Sequence, residues 1–374
     1  MVTGLVFHEQ YLSHRSGFDY GPFFENERPF DNPETMRRFR NLLKASGLLV
    51  HLVPITPRKA TIDEVCRFHS AEYVQRIRLA SDAGGGDAGE EAPFGPGSYE
   101  IALLAAGGVI NAVDAVLSGN VTNAYALVRP SGHHAEINRG RGYCIFNNIV
   151  LGALHAREMW DVDRLAIVDW DVHHGNGTEQ AFSTDESVLT ISIHQAGNYP
   201  EDTGDIESVS AELDVGQNIN IPLPPGSGGG AYIAAFERII IPSLRAHRPK
   251  LILVACGFDA GGLDPLGRMV LSSDIFRKMT QAVMSVAKEV CADRLVFSQE
   301  GGYSTYHVPF CGLATLEELS GVRTDVQDPF IWLDALPYQQ LQPQQNSIIA
   351  EVEGASAPTR SKTSYSATSM SGNL

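Results

Sequence analysis

The segment Arg164-Leu-Ala-Ile-Val-Asp169-Trp-Asp-Val-His-His-Gly-Asn176 runs from an apolar stretch directly into two carboxylates and two imidazoles. A buried strand that ends this way delivers charge to one sheet edge. In extended backbone, side chains at i, i+2 and i+4 point the same way, which would bring Asp169, Asp171 and His173 to one side. Oxygen and imidazole donors together suit a borderline divalent ion such as zinc.

Short, β-branched-rich apolar runs of the same kind recur at 4–8, 48–53, 124–129, 165–169, 188–194, 217–222, 251–257 and 294–298. They are continuously apolar instead of alternating. Helix-like stretches at 34–46, 98–118, 144–158, 230–247 and 272–292 separate them. This pattern predicts an α/β fold: a single domain with an eight-stranded, mainly parallel sheet covered by helices on both faces. From about 339 the composition turns to Gln, Ser, Thr and Ala. We therefore read 1–338 as the domain, 339–353 as an extension with helical character, and 354–374 as a tail too poor in apolar residues to fold alone.

A chain of 374 residues with 43% hydrophobic content buries a sizeable core. Its net charge of −16 argues against nucleic acid or an anionic membrane as partner and suits a cationic substrate. The five cysteines (Cys66, Cys144, Cys256, Cys291, Cys311) lack paired spacing, which points to free thiols in a reducing compartment. With no leader-like N-terminus and no run near the ~18 apolar residues of a membrane helix, the expected location is cytoplasmic.

Polar groups follow several of the strands. The run at 124 leads to Pro130-Ser-Gly-His-His134, that at 188 to Ser192 and His194, that at 251 to Gly257-Phe-Asp259, and that at 294 to Gln299-Glu-Gly-Gly-Tyr303. Singly, each has an ordinary explanation: a hydrogen-bonded histidine pair, a turn-forming aspartate, a tyrosine after a tight turn. Jointly they converge beyond the carboxyl ends of parallel strands, where open α/β sheets bind ligands. Carboxylates at this density raise one another's pKa unless a cation compensates. Asp171, His173 and Asp259 would supply three ligands and leave coordination positions open, as in a catalytic site. Two anionic ligands leave the bound ion formally neutral and its water less acidic, so a separate general base becomes useful.

With Arg129-Pro-Ser-Gly-His-His134, Gly142-Tyr-Cys-Ile-Phe-Asn147, Asp169 to Gly177, Gly257-Phe-Asp-Ala260 with Asp264-Pro265, and Glu300-Gly-Gly-Tyr303, the chain resembles the zinc-dependent histone deacetylase superfamily. The likeness is to its bacterial class II deacetylase-like amidohydrolases and spans about residues 1–335. The resemblance implies the arginase/deacetylase fold, zinc on Asp171, His173 and Asp259, His134 as general base, His133 as electrostatic support through Asp169, and Tyr303 as oxyanion donor. It further implies potassium at Asp169, Asp171, His173 and Ser192 with the Ile193 carbonyl, and a second cation on carbonyls of Phe182, Asp185, Val188 and Gln217. Ser192 could equally be an ordinary buried hydroxyl.

Two departures from the family pattern carry expectations. Asn176 stands behind His134, as in class II members, where class I members have Asp, so Asn176→Asp is expected to move the acidic limb of the pH–rate profile upward. Gly142, Tyr143 and Tyr199, with Leu266, are the expected substrate tunnel, two phenols replacing phenylalanines. Glu91 stands near the place of a substrate-orienting Asp. Glu201, Asp202, Asp205, Glu207, Glu212 and Asp214 are expected as an acidic entrance or a plain solvated loop. Gly84-Gly-Gly86 reads as flexible loop, and His174 as structural.

The resulting expectation is removal of an acetyl or related acyl group from acyl-lysine or a similar amine, with an acylpolyamine as the alternative. An arginase-like ureohydrolase would need an acid where Gly175 stands. A catalytically silent acyl-amine binder would lack turnover. The aromatic-rich loop at 14–33 (Phe18, Tyr20, Phe23, Phe24, Phe30) would pack on itself, line the mouth, or meet a second copy in a homo-oligomer.

Overall fold

A computed structural model describes residues 1–17, 28–206 and 217–356. Eight strands form one sheet: β1 (Thr3–Val6), β2 (Val53–Ile55), β3 (Asn123–Ala126), β4 (Leu165–Asp169), β5 (Val188–Gln195), β6 (Gln217–Leu223), β7 (Leu251–Cys256) and β8 (Leu295–Gln299). Their order is β6-β5-β4-β7-β8-β3-β1-β2, and every pairing is parallel. Strands β3, β4, β5, β7 and β8 are buried throughout, which is why their sequences carry no alternation.

Alternate residues of β3 show how the two faces are filled. The Tyr125 ring lies 6.0 Å from Phe39 of helix Pro33–Ala45 and stacks on Phe297 of β8. Ala124 and Ala126 point the other way, and their small size lets helix Ser98–Leu117 approach closely. That helix packs on Asn148–Trp160, while Pro33–Ala45, Ser273–Val290 and Val308–Ser320 pack together. Helix starts are locally encoded: the Asn32 side chain accepts the N–H of Glu34 ahead of Pro33, and Asn147 caps the N–H of Val150.

Several sequence expectations need correction. The run at 48–53 is mostly a 3₁₀ turn, Leu48–His51, with Val50 exposed, and β2 begins only at Val53. Pro54 has no N–H to donate, so this short strand belongs at the sheet edge. Helix Ser98–Leu117 is long and apolar enough to cross a membrane by length and composition, but it is mostly buried in the core. Gly86–Asp87 pairs with Pro93–Phe94 as a two-residue ladder, so only Gly84 and Gly85 of that glycine run remain outside strands. Helix Pro343–Ser356 runs past the expected boundary at 354 and packs against β6. All five cysteines are free, and Cys66 is only partly buried. Phe18, Tyr20, Phe23 and Phe24 lie outside the described residues.

Candidate metal centre and acid–base site

The order of the sheet builds the site. Its four central strands, β4, β7, β8 and β3, are adjacent, and the chain leaving each one carries a motif: Asp169 to Asn176, Asp259, Glu300 to Tyr303, and His133-His134. Strand geometry ends at Asp169, so the expected one-sided row of Asp169, Asp171 and His173 does not form. Instead Asp169 Oδ1 accepts the N–H of Asp171 at 3.0 Å, and Asp171 Oδ1 accepts that of His173 at 3.0 Å. Each aspartate bends the backbone around its own carboxylate, a local bond that outcompetes extension. Asp171 and His173 consequently meet, while Asp169 turns toward His133.

His173 Nδ1 lies 2.9 Å from Asp171 Oδ1 and 3.2 Å from Asp259 Oδ2. The three potential ligand atoms fall within 4.8 Å of one another. Both aspartates are wholly buried. Asp171 Oδ2 accepts the N–H of Gly301 at 2.7 Å, and Asp259 Oδ1 that of Val172 at 2.8 Å. Asp259 Oδ2 is buried without a hydrogen bond. Burial, then Asp171, push the Asp259 carboxyl above its usual range. A buried carboxylate oxygen with no donor, beside a second carboxylate and an imidazole nitrogen, is the donor set a divalent cation requires. The residues present fit the group. At Gly301 a Cβ would strike both carboxylates, so the cluster closes only over a glycine.

Behind this cluster the two imidazoles diverge. His133 Nδ1 donates to Asp169 Oδ2 at 2.8 Å. Burial opposes its protonation, but Asp169 and Asp171 raise its pKa to about 10. The His134 ring is tilted against it, with centroids 3.9 Å apart, and pairs through Nδ1 with Asn176 Oδ1 at 2.8 Å. Burial and the neighbouring His133 and His173 hold His134 well below the ordinary imidazole range. The two adjacent imidazoles are thus driven apart in pKa, His133 upward and His134 downward.

Tyr303, Tyr143 and Tyr199 stand around these rings. Tyr303 lies 6.4 Å from His173 and 5.8 Å from Tyr143, and Tyr199 is 5.1 Å from His134 and 6.2 Å from His173, centroid to centroid. Burial and the carboxylates of Asp259 and Asp171 keep the Tyr303 phenol protonated. Gly142 fits between His134 and Tyr199, and Leu266 is partly buried near Asn198, which donates to its carbonyl. Glu91 is placed differently from the tunnel residues: its side chain is exposed, and its carbonyl accepts the N–H of Tyr143 at 2.9 Å.

The expected acidic entrance is partly neutralised. Buried Arg141 donates to Asp202 at 3.0 Å and to Glu90 at 2.7 Å, and Arg139 also pairs with Glu90. Glu207, Glu212 and Asp214 lie outside the described residues. His174 pairs with Glu179 and Thr203, as a structural histidine would. At the cation positions, Ser192 is the cross-strand partner of Asp169 and contacts His194, while Gln217 engages His247 through its side chain. The carbonyls of Phe182 and Asp185 accept the N–H groups of Asp185 and Val188 in successive turns.

Four supporting residues were given no role by the sequence reading, although three of them stand in its motifs. Glu300 accepts the N–H groups of Gly132 and His133, fixing the histidine loop to β8; its place in the Glu-Gly-Gly-Tyr motif was a signal. Asp264 Oδ2 accepts the N–H groups of Tyr303 and Ser304 while its Oδ1 accepts that of Leu266, joining two walls of the site. Arg129 grips Asp31 and the carbonyls of Tyr11 and His14. Glu136 Oε1 accepts from the Asn176 amide at 2.8 Å, a contact that no spacing rule announces.

Comparison with known proteins places the chain in one family. A family model described as the histone deacetylase domain matches residues 29–319. The histone deacetylase-like amidohydrolase of Pseudomonas aeruginosa is 48% identical over 299 residues, covering 80% of this chain and 79% of that protein. A human polyamine deacetylase, HDAC10, is 34% identical over 336 residues, covering 86% of this chain and 48% of its own. The crystal structure of the HDA15 HD domain superposes with a TM-score of 0.84 at 28% identity, covering 95% of each chain.

Proposed function

The chain belongs to the histone deacetylase family and is a deacylase, and we propose that it cleaves acetyl or related short acyl groups from acyl-lysine with one zinc ion. The observation that carries the reading is a pair of imidazoles held by different partners, Asp169 and Asn176, beside a buried Asp-His-Asp cluster. Zinc held by Asp171, His173 and Asp259 would supply a Lewis acid and an activated water.

The chain's own residues handle the protons. His134, neutral and committed through Nδ1 to Asn176, uses its Nε2 lone pair as general base and returns the proton to the leaving amine. His133, protonated against Asp169, adds positive charge without exchanging protons. Tyr303 donates its phenolic hydrogen to the developing oxyanion. Tyr143, Tyr199 and Leu266, with Gly142 leaving room between rings, flank the acyl-amine stem, and flat rings suit a methylene chain. Glu91 contributes through its backbone contact to Tyr143.

Neutralisation of Glu90 and Asp202 by arginines favours acyl-lysine over a substrate carrying a second ammonium group. The polyamine deacetylase among the relatives supports acylpolyamine as the second reading. An arginase-like second metal lacks its acid, because Gly175 cannot ligate. Potassium at Asp169, Asp171, His173 and Ser192, and at the carbonyls of Phe182, Asp185, Val188 and Gln217, is part of the same proposal. The free cysteines support a cytoplasmic setting.

Release of acetate and longer acids from acyl-lysine peptides and acylpolyamines, with metal analysis of the same sample, tests the reading. Turnover that disappears on chelation and returns with zinc supports it. A zinc-loaded protein that binds these substrates without turnover would replace it with the silent binder.

A further inference from the structure

Asn176 can present either its carbonyl or its amide to His134, and the two choices have opposite consequences. With Oδ1 facing Nδ1, His134 must carry its proton on Nδ1, which leaves Nε2 basic. With the amide turned inward, Nδ1 becomes the acceptor and Nε2 carries the proton, so the imidazole cannot take one from a nucleophile at Nε2. A carboxylate partner has no such ambiguity.

Glu136 removes the ambiguity. Its Oε1, 2.8 Å from Asn176 Nδ2, can only accept, and the His134 carbonyl at 3.3 Å is a weaker acceptor for the same amide. Beyond Glu136 stand two groups that can only donate: Arg139, at 2.7 Å and 3.1 Å to the carboxylate, and Arg141, at 3.3 Å. Without the intervening carboxylate, these guanidiniums would attract the Asn176 oxygen and turn its amide toward His134. The Glu136 backbone is itself clamped, its N–H to the Arg139 carbonyl at 2.9 Å and its carbonyl to His69 Nδ1 at 2.8 Å. The carboxylate is buried, as are Asn176 and Arg141.

We propose that Glu136 is a positioning residue that orients the Asn176 carboxamide and thereby selects the reactive tautomer of His134. Asn176 and Glu136 then form an interdependent pair. An aspartate at 176 would set two carboxylates side by side, so Asn176→Asp damages the site, contrary to the simple upward shift of the acidic limb expected from sequence. Exchanging the groups, Asn176→Asp with Glu136→Gln, leaves a single carboxylate in the pair: the carboxylate then at 176 accepts from His134 and from the carboxamide then at 136, whose oxygen keeps the 2.7 Å Arg139 contact while the longer arginine contacts to Oε1 are given up.

The inference rests on His134 being the base of the deacylase, so two separate measurements are needed. Ring-nitrogen chemical shifts in histidine-¹⁵N-labelled, zinc-loaded protein, with His134 assigned by His134→Gln, report the tautomer independently of turnover. The wild type should show the Nδ1–H form, and Glu136→Leu should gain the Nε2–H form. Steady-state kinetics should show kcat reduced by about 10- to 100-fold in Glu136→Leu and in Asn176→Asp, with KM and zinc content retained. The double variant should recover most of that loss. An unchanged tautomer in folded Glu136→Leu, or losses that multiply in the double variant, would overturn the inference. Absence of turnover in the wild type would sink the deacylase reading, while the tautomer spectra would still decide the orienting role.

Discussion

Replacing Gly301 by alanine should damage metal binding while leaving the fold intact. The Cβ would sit 2.6 Å from Asp171 Oδ2 and nearer still to Asp259 Oδ2, whereas ordinary contact begins at 3.4 Å. Asp171 Oδ2 must therefore retreat by about 0.8 Å, four times the ~0.2 Å latitude of a coordination bond. With two of three ligands displaced, zinc affinity should fall by at least ~100-fold, about 2.7 kcal/mol. The assay is zinc content after equilibrium dialysis against a graded chelator series, with circular dichroism to confirm folding. Gly321→Ala is the control: its φ of +72° strains an alanine, but the space around it is open. That variant should lose roughly 1 kcal/mol of stability and no zinc. Wild-type zinc affinity in folded Gly301→Ala would refute the placement of the ion between these carboxylates.

Tyr303→Phe should lower kcat by ~100- to 1000-fold with little change in KM, because an oxyanion donor acts in the transition state; unchanged turnover removes that role. Among the described residues the Tyr303 hydroxyl has no hydrogen-bond partner, so its loss should leave the melting temperature unchanged. Chelation should lower the melting temperature, and zinc should restore it; at 100 times Kd the stabilisation is about 2.7 kcal/mol. A melting temperature insensitive to chelation would contradict a bound cation. Glu64, hydrogen-bonded to Arg58 and to the N–H of Thr61, has a folded pKa lowered from 4.5 to about 2. A depressed carboxylate contributes stability above its unfolded pKa and loses it as pH falls through the folded one. Glu64→Gln should therefore melt lower than wild type at pH 7, with the gap closing between pH 4.5 and 2; a gap independent of pH refutes the ion-pair assignment.

Much of the scaffold is legible in the sequence because buried parallel strands are written as uninterrupted apolar runs. Leu165–Asp169 and Leu251–Cys256 need no tertiary information to be located. Helix Val308–Ser320 escaped because it is buried on nearly every side, which erases the period that identifies a helix. The metal cluster and the imidazole pair could be read because their residue types are costly to bury without a shared purpose. What surrounds them could not. Arg141 reaches Glu90 and Asp202 across 51 and 61 positions, and no local pattern records that these acids are already engaged. The Asn176→Asp expectation has the same gap: it considers His134 and its neighbour without the Glu136 carboxylate standing behind both.

The strand order also shapes how the protein comes into being. Strands β7 and β8 are made last among the eight, yet they occupy the middle, between β4 and β3. Until residue 299 has emerged during synthesis, the nascent chain holds two partial sheets, each with an apolar interior edge lacking its neighbour. Such edges are templates for pairing with other chains. A chain halted before Leu251 thus lacks more than Asp259 and Tyr303: it is an aggregation-prone intermediate, and ribosome-bound forms of that length should depend on chaperones that shield strand edges.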